Sequence, residues 1–204
     1  MARLILSDSS PLIALSRVSG LAWRPSLFDI VSTPPEVYSE VLPGLDLPGD
    51  DAITQAVSAG WLRVTEPAPN TPELPELDEG ESACIRVALA HDGPTLLLMD
   101  ERAGRMIAQE RGLRVAGTAA IIGLAKQRGL IPSAREVFAL LHAAEFRIAP
   151  EVIRTVLQRV GESWNHCLTS MILAGRRQLL RPPGNFAGRR RRVPVNRCFI
   201  TIPA

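Results

Sequence analysis

The chain holds little of what most enzyme signatures are built from. Its three cysteines, Cys84, Cys167 and Cys198, show no CxxC spacing, which argues against a disulfide framework and against a cysteine zinc site. Its three histidines, His91, His142 and His166, form no HExxH and read as surface or packing residues rather than ligands. No GxxxxGK phosphate loop, GxSxG elbow or GxGxxG turn occurs. The usual marks of nucleotide hydrolysis, serine-esterase chemistry and dinucleotide binding are therefore missing. Aromatic residues make up 4% of the chain, so the core is expected to be aliphatic. No apolar run approaches the roughly 18 residues of a membrane span. The N-terminus opens at once on strand-like residues, without the basic flank and long apolar stretch of a signal peptide, so the cytoplasm is the default location. Any metal would have to be held by oxygen.

What remains is ordinary globular material: 204 residues, 46% hydrophobic and 22% charged, enough for one domain with an appendage. The net charge of +2 hides an asymmetry. Residues 164–204 carry eight arginines and no acid, so residues 1–163 hold 15 basic against 21 acidic side chains, a charge of −6. The boundary expected from this is a domain over 1–162 and a basic, poorly ordered tail over 163–204. The run Arg189 to Arg192 in that tail reads as solvated chain or as a nonspecific phosphate contact.

Two apolar runs end in an aspartate: Leu4-Ile5-Leu6-Ser7-Asp8 and Leu96-Leu97-Leu98-Met99-Asp100. Each reads as a buried parallel strand that delivers a carboxylate to a sheet edge. Further strands are expected over 28–31, 61–64 and 113–115. Helices are expected from Pro11 to Gly20, from a Thr33-Pro34-Pro35 start, and over 50–59, from 78, 101–110, 118–127, 133–144 and 150–160. Residues 65–77, rich in proline and glutamate, read as an exposed loop. Strands alternating with helices give an α/β fold with a parallel sheet covered on both faces.

Four carboxylates stand out: Asp8, Glu40, Glu81 and Asp100. In open α/β sheets, sites form beyond the carboxyl ends of the strands. Mg²⁺ and Mn²⁺ take carboxylate oxygens there, with water and substrate phosphate completing the shell. Each acid also has a plainer reading. Asp8 and Asp100 can cap the helices that follow them. Glu40, four residues after Glu36, can be a solvated rim acid. Asp78-x-x-Glu81 matches a capping box, in which Glu81 reaches back to the Asp78 backbone N–H.

The motifs run in order as Asp8-Ser9-Ser10-Pro11-Leu12-Ile13, Pro35-x-Val37-x-x-Glu40-Val41, Leu77-Asp78-x-Gly80-Glu81-Ser82-x-Cys84-Ile85, Leu98-Met99-Asp100-Glu101 with Gly104-Arg105, and Gly117-Thr118. Over residues 3–162 this series resembles PIN-domain proteins, in particular the prokaryotic PIN-like branch known as DUF3368. Leu124-Ala125-Lys126, Gly129-Leu130-Ile131 and Gly161-Glu162 fit the same branch. The resemblance implies a three-layer α/β/α fold with a central, mainly parallel sheet. It also implies a Mg²⁺- or Mn²⁺-dependent ribonuclease acting on RNA, many such proteins being toxins of toxin–antitoxin pairs; an antitoxin protein and a second copy of the chain (a homodimer) are the candidate partners, and the sequence leaves the oligomeric state open. The family's acids fall on Asp8, Glu40 and Asp100, and its mid-chain acid, commonly aspartate, falls on Glu81.

The mechanism expected from that resemblance is phosphodiester hydrolysis. Asp8, Glu81 and Asp100 would hold metal, and Glu40 would complete the shell or orient the attacking water. Arg105 is expected either at a substrate phosphate or in a structural ion pair. Thr118 is expected either on a ligand or at a helix start. Two rivals stay open. One is a catalytically inactive PIN-like interaction module. The other is an aspartyl-phosphate phosphatase using Asp8, although Ser10 stands where such enzymes carry a second aspartate.

Overall fold

The computed structural model describes residues 4–42, 44 and 49–163. The expected basic tail therefore lies outside the described residues, apart from Ser163. The chain runs β1 (Leu4–Ser7), α1 (Ser9–Arg17), a 3-10 turn (Gly20–Trp23), α2 (Arg24–Leu27), β2 (Val31–Thr33), α3 (Pro35–Val41), α4 (Asp50–Ser58), β3 (Leu62–Val64), α5 (Glu79–Ala90), β4 (Thr95–Leu98), α6 (Arg102–Glu110), β5 (Arg114–Ala116), α7 (Thr118–Gln127), α8 (Ala134–Ala143) and α9 (Pro150–Arg159).

The five strands form one sheet in the order β3-β2-β1-β4-β5, and every neighbouring pair is parallel. Strands β1 and β4 pair along their full length, from Leu4 against Thr95 to Ser7 against Leu98. Each parallel neighbour is reached by a helical crossover, so helices cover both faces. Helix α1 packs on α4 and α7, while α5 packs on α6 and on β1 and β4. The result is the three-layer α/β/α arrangement expected. The chain builds β2 and β3 outward on one side of β1, then returns to place β4 and β5 on the other. The direction of winding thus reverses between β1 and β4, and a crevice opens at such a point.

Two apolar cores support this sheet. The larger joins Leu6, Leu97, Ile53, Leu62 and Ile85 around the strands, and the second joins Ile122, Phe138, Leu141, Ile153 and Leu157 among α7, α8 and α9. Gly123 lets α7 and α9 approach: a Cβ there would lie 2.9 Å from Val156 Cγ1.

Three local expectations are corrected. Strand β2 runs over Val31–Thr33 rather than 28–31. Thr33 does not cap α3, because its hydroxyl donates to the Ser7 carbonyl at 2.9 Å, and Pro34 takes the cap position instead. The loop over 65–77 is not wholly exposed. Leu74 enters the core at 4% exposure, and Arg86 Nε holds the loop by donating to the Pro72 carbonyl at 2.8 Å. The short helical segments over 20–27 had no periodic signal in the sequence.

The described chain closes on itself at Glu162. Its carboxylate accepts from the Ala134 and Arg135 backbone N–H groups at 2.9 Å each and from Ser133 Oγ at 3.1 Å, and it pairs with Lys126 Nζ at 3.3 Å. This is a cap on α8 supplied from a distant segment, which answers its otherwise unpaired first-turn donors. Burial alone would raise the Glu162 pKa, but the Arg135 and Ala134 N–H groups, Ser133 and Lys126 together lower it. Stability from this clamp is therefore fully present above the ordinary glutamate pKa and is lost as pH falls below it and through the lowered folded value. Glu162→Ala is expected to cost about 2 kcal/mol, the scale of hydrogen bonds to a charged acceptor. Urea unfolding at pH 7 and pH 4 checks this. A variant as stable as the parent at pH 7 would show that the clamp contributes nothing.

Candidate active site at the carboxyl edge of the sheet

The parallel pairing of β1 and β4 brings the two acid-tipped strands side by side. Asp8 extends the ladder one step beyond β1, its N–H donating to the Leu98 carbonyl at 2.9 Å, and Met99 N–H donates likewise to Ala116. Asp8 and Asp100 therefore both stand at the carboxyl edge, where the winding reverses.

Asp8 occupies the cap position of α1, yet its side chain makes no capping hydrogen bond. It is 3% exposed. Burial pushes its carboxyl up to about 7; the Ser9 N–H opposes this, and the charges of Asp78, Glu81 and Glu40 add to it. Glu81 lies buried in the first turn of α5. Asp78 caps that helix by accepting from the Glu81 N–H at 2.8 Å, and its own N–H in turn holds the Glu81 pKa down, against the larger effects of burial and neighbouring acids. Even so, Glu81 Oε1 is buried with no hydrogen-bond partner among the described residues. The backbone of Glu81 thus satisfies the cap while one oxygen of its carboxylate stays unpartnered.

Glu40 sits at the exposed rim, on α3. Its Oε2 lies 3.4 Å, and Asp78 Oδ1 3.5 Å, from where a Cβ on Gly80 would stand. Glu36, one turn earlier, also has a buried, unpartnered Oε2 among the described residues.

Asp100 is held differently. The Thr118 backbone N–H donates to Oδ1 at 2.8 Å and the Thr118 hydroxyl to Oδ2 at 2.6 Å. Burial raises its pKa, the two Thr118 bonds and Arg105 lower it, and Glu101 raises it. Arg105 Nη1 also donates to the Met99 carbonyl at 3.3 Å. Thr118, fully buried, and Arg105 thus both position the Asp100 end of the site. Asp100 does not cap α6; Glu101 holds that place, without a side-chain bond.

The structure thus gathers Asp8, Glu81, Glu40 and Asp78 into one electrostatic cluster, with Asp100, Thr118 and Arg105 beside it. Glu101 acts on both Glu81 and Asp100. Two glycines were not recognised from sequence as site residues. A Cβ on Gly104 would lie 2.7 Å from Glu81 Oε1 and 2.5 Å from Met99 Sδ, and one on Gly117 would lie 2.7 Å from Asp100 Oδ1 and 2.6 Å from Arg105 Nη1. Only their places in the motif order signalled them. Cys84 lies nearby but is buried, and burial with the surrounding acids pushes its thiol well above the ordinary value. It stays protonated and offers no nucleophile.

A doubly wound parallel sheet covered by helices on both faces, with carboxylates at the edge where its winding reverses, defines an open-sheet α/β/α domain. The DUF3368 family model, described as a PIN domain, matches residues 4–162, and the chain belongs to that family. PIN domains are generally nucleases and typically depend on a divalent cation, so the family places a nuclease-type activity here. No curated protein matches the sequence.

The donor set suits such a cation in kind: carboxylate oxygens, one of them buried and unpartnered. It forms no closed cage, because among the described residues no three Asp, Glu, His or Cys side chains group closely enough to enclose an ion. Magnesium in phosphate chemistry is often held by one or two carboxylates, with water and substrate filling the shell, and an open arrangement of this type fits that mode.

Two outcomes follow from this geometry. The folded metal-free protein keeps the Asp8 proton up to about pH 7, whereas the unfolded chain releases it near pH 4. The stability so gained is fully present below pH 4 and is lost as pH rises through 7, a change on the order of a few kcal/mol. In EDTA, the parent's Tm should fall across this window more steeply than that of Asp8→Asn; equal slopes would contradict the burial of an ionisable Asp8. For Gly104→Ala, better helix propensity contributes about 1 kcal/mol, but crowding against Glu81 and Met99 costs about 1–3 kcal/mol. Net destabilisation is expected in urea unfolding, and a more stable variant would place Glu81 elsewhere.

Proposed function

We propose that the protein is a divalent-metal-dependent endoribonuclease that hydrolyses RNA phosphodiester bonds. The observation that carries this reading is that Asp8, buried at the point where the sheet's winding reverses, feels the charge of Glu81, whose Oε1 is buried without a hydrogen-bond partner among the described residues. Asp8 and Glu81 would hold Mg²⁺ or Mn²⁺ in that open mode, and Asp100 would join the shell only if it released a Thr118 bond. A bound cation of this kind supplies a water of lowered pKa and neutralises charge building on the scissile phosphate.

The chain's own residues do the rest. Thr118 fixes the Asp100 carboxylate through two hydrogen bonds. Arg105 sits beside it as the nearest cation for a phosphate oxygen. Glu40, at the exposed rim, would complete the shell or help orient the attacking water. Gly104 and Gly117 keep the carboxylates clear of any Cβ. The resemblance to PIN-type toxins supports a role in a toxin–antitoxin pair, with a small antitoxin protein as partner. A neighbouring gene for such a protein is the observation that would support it.

The second reading, an inactive PIN-like interaction module, draws on one observation: both Asp100 oxygens are already engaged by Thr118. Two measurements separate the readings. With Mn²⁺, the parent should cleave RNA and an Asp8→Asn/Asp100→Asn variant should lose at least about a hundredfold in rate, the scale of a group that stabilises the transition state. Equal cleavage by both proteins would sink the proposed site. In calorimetric titration, the parent should bind Mn²⁺ and Asp8→Asn should bind it more weakly; no binding at millimolar metal favours the interaction module.

A further inference from the structure

A rim of exposed acids adjoins the acidic site. From Val64 to Ile85 the chain carries six acids, Glu66, Glu73, Glu76, Asp78, Glu79 and Glu81, and no lysine or arginine. All but Glu81 are exposed. The loop that bears most of them is held in place. Leu74 is buried in the core, Arg86 Nε donates to the Pro72 carbonyl at 2.8 Å, and the Leu77 N–H donates to the Leu74 carbonyl at 3.1 Å. Glu40 joins the rim from α3, where its Oε2 and Asp78 Oδ1 flank the open face of Gly80. The side chains of Glu40, Glu66, Glu73, Glu76 and Glu79 make no ion pair with the described residues.

Behind the rim, the charge of Asp78 acts on both Asp8 and Glu81. These two are 3% and 5% exposed, and Glu81 Oε1 has no hydrogen-bond partner among the described residues. Rim and site are thus one field of negative charge whose innermost oxygen lacks a donor. Such a field repels phosphate and attracts a cation-rich chain.

The protein carries a segment of opposite charge. Residues 164–204 hold eight arginines and no acid, against −6 on residues 1–163. Between Glu162 and the run Arg189 to Arg192 lie 26 residues. That length reaches at most roughly 90 Å, and a domain of this size is about 40 Å across, so every face is within reach. Being tethered, the segment meets the rim at an effective concentration on the order of millimolar. A guanidinium presents a planar fork of N–H donors that matches carboxylate oxygens.

We propose that the rim of Glu40, Glu66, Glu73, Glu76, Asp78 and Glu79 docks the arginine-rich segment of this same chain, Arg176 to Arg197, and that the docked arginines hinder entry of a divalent cation to the site. The docking goes beyond the nuclease reading, and its effect on metal rests on that reading.

The test uses the full chain. A nitroxide on Cys198, with Cys167→Ser, reports the position of the segment, because Cys84 is buried and escapes the label. In EDTA the nitroxide should broaden the amide signals of Glu73, Glu76 and Glu79 at about 20 mM salt, and the broadening should fade at about 0.5 M, where screening is complete within a few Å. Arg189→Ala/Arg190→Ala/Arg191→Ala/Arg192→Ala should abolish it, and so should Glu73→Gln/Glu76→Gln/Glu79→Gln. Calorimetric Mn²⁺ titration reads the consequence. A segment docked about two-thirds of the time leaves about a third of the sites open, so the arginine variant should tighten apparent Mn²⁺ binding about threefold. In the triple-glutamine background the same arginine changes should leave Mn²⁺ binding as it was. Broadening that persists in the triple-glutamine variant overturns the proposal. Broadening that needs nitroxide and isotope label on separate chains also overturns it and assigns the rim to a second copy. Unchanged Mn²⁺ affinity with weakened RNA binding in the arginine variant overturns it and assigns the arginines to phosphate. Rim-dependent broadening with no Mn²⁺ binding by any of these proteins supports the docking and overturns the metal-dependent nuclease reading instead.

Discussion

The parallel pairing of β1 with β4 is the interaction on which the rest depends. It joins two strands that lie far apart in the chain, matches Ser7 to Leu98, and extends by one further bond from Asp8. Every other placement in the site follows. A slip of one residue would send Asp8 to the other face of the pleat and break the alignment of the two acid-tipped ends. The register is protected by burial on both faces, since the paired Leu6 and Leu97 are enclosed on one and the paired Ser7 and Leu98 on the other. The core therefore fixes the positions of acids that contribute nothing to its own cohesion.

Those acids oppose the fold. Asp8 is buried without a capping bond, and its neighbours Asp78, Glu81 and Glu40 carry the same sign. Such a group either keeps its proton or meets a cation. The structure tolerates the strain by holding each acid in its own way. Asp78 caps α5 at the Glu81 N–H, Thr118 grips Asp100 twice, and Gly104 and Gly117 leave room where any side chain would collide. At Glu81 the backbone N–H meets the Asp78 cap, while Oε1 stays buried without a hydrogen-bond partner among the described residues.

The helices beyond β5 matter to the site although they carry none of its acids. Glu162 ties the end of the described chain to the start of α8, and Gly123 lets α9 settle on α7. With α9 so placed, it faces α6 across a cleft that begins at Asp100. The arginines lining that cleft, Arg102, Arg105, Arg147 and Arg159, are spread over α6, the segment before α9 and α9 itself. They appear as a cluster only after folding.

The sequence by itself determined the elements and their order. Apolar runs ending in acids, proline starts and glycine stops placed the long helices and the central strands to within a residue or two, because those signals act locally. They also singled out Asp8, Glu40, Glu81 and Asp100. Local signals failed at Thr33, whose cap-like position gave way to a hydrogen bond across to Ser7 in β1, and at Leu74, drawn into the core from a polar loop. Only the tertiary structure decided which acids meet, which of them is tied down, and where the arginines of the cleft gather. Those outcomes depend on strand order and on close approach between segments distant in sequence. Pairing register and helix contact set them, and neither is written in the spacing of residues along one element.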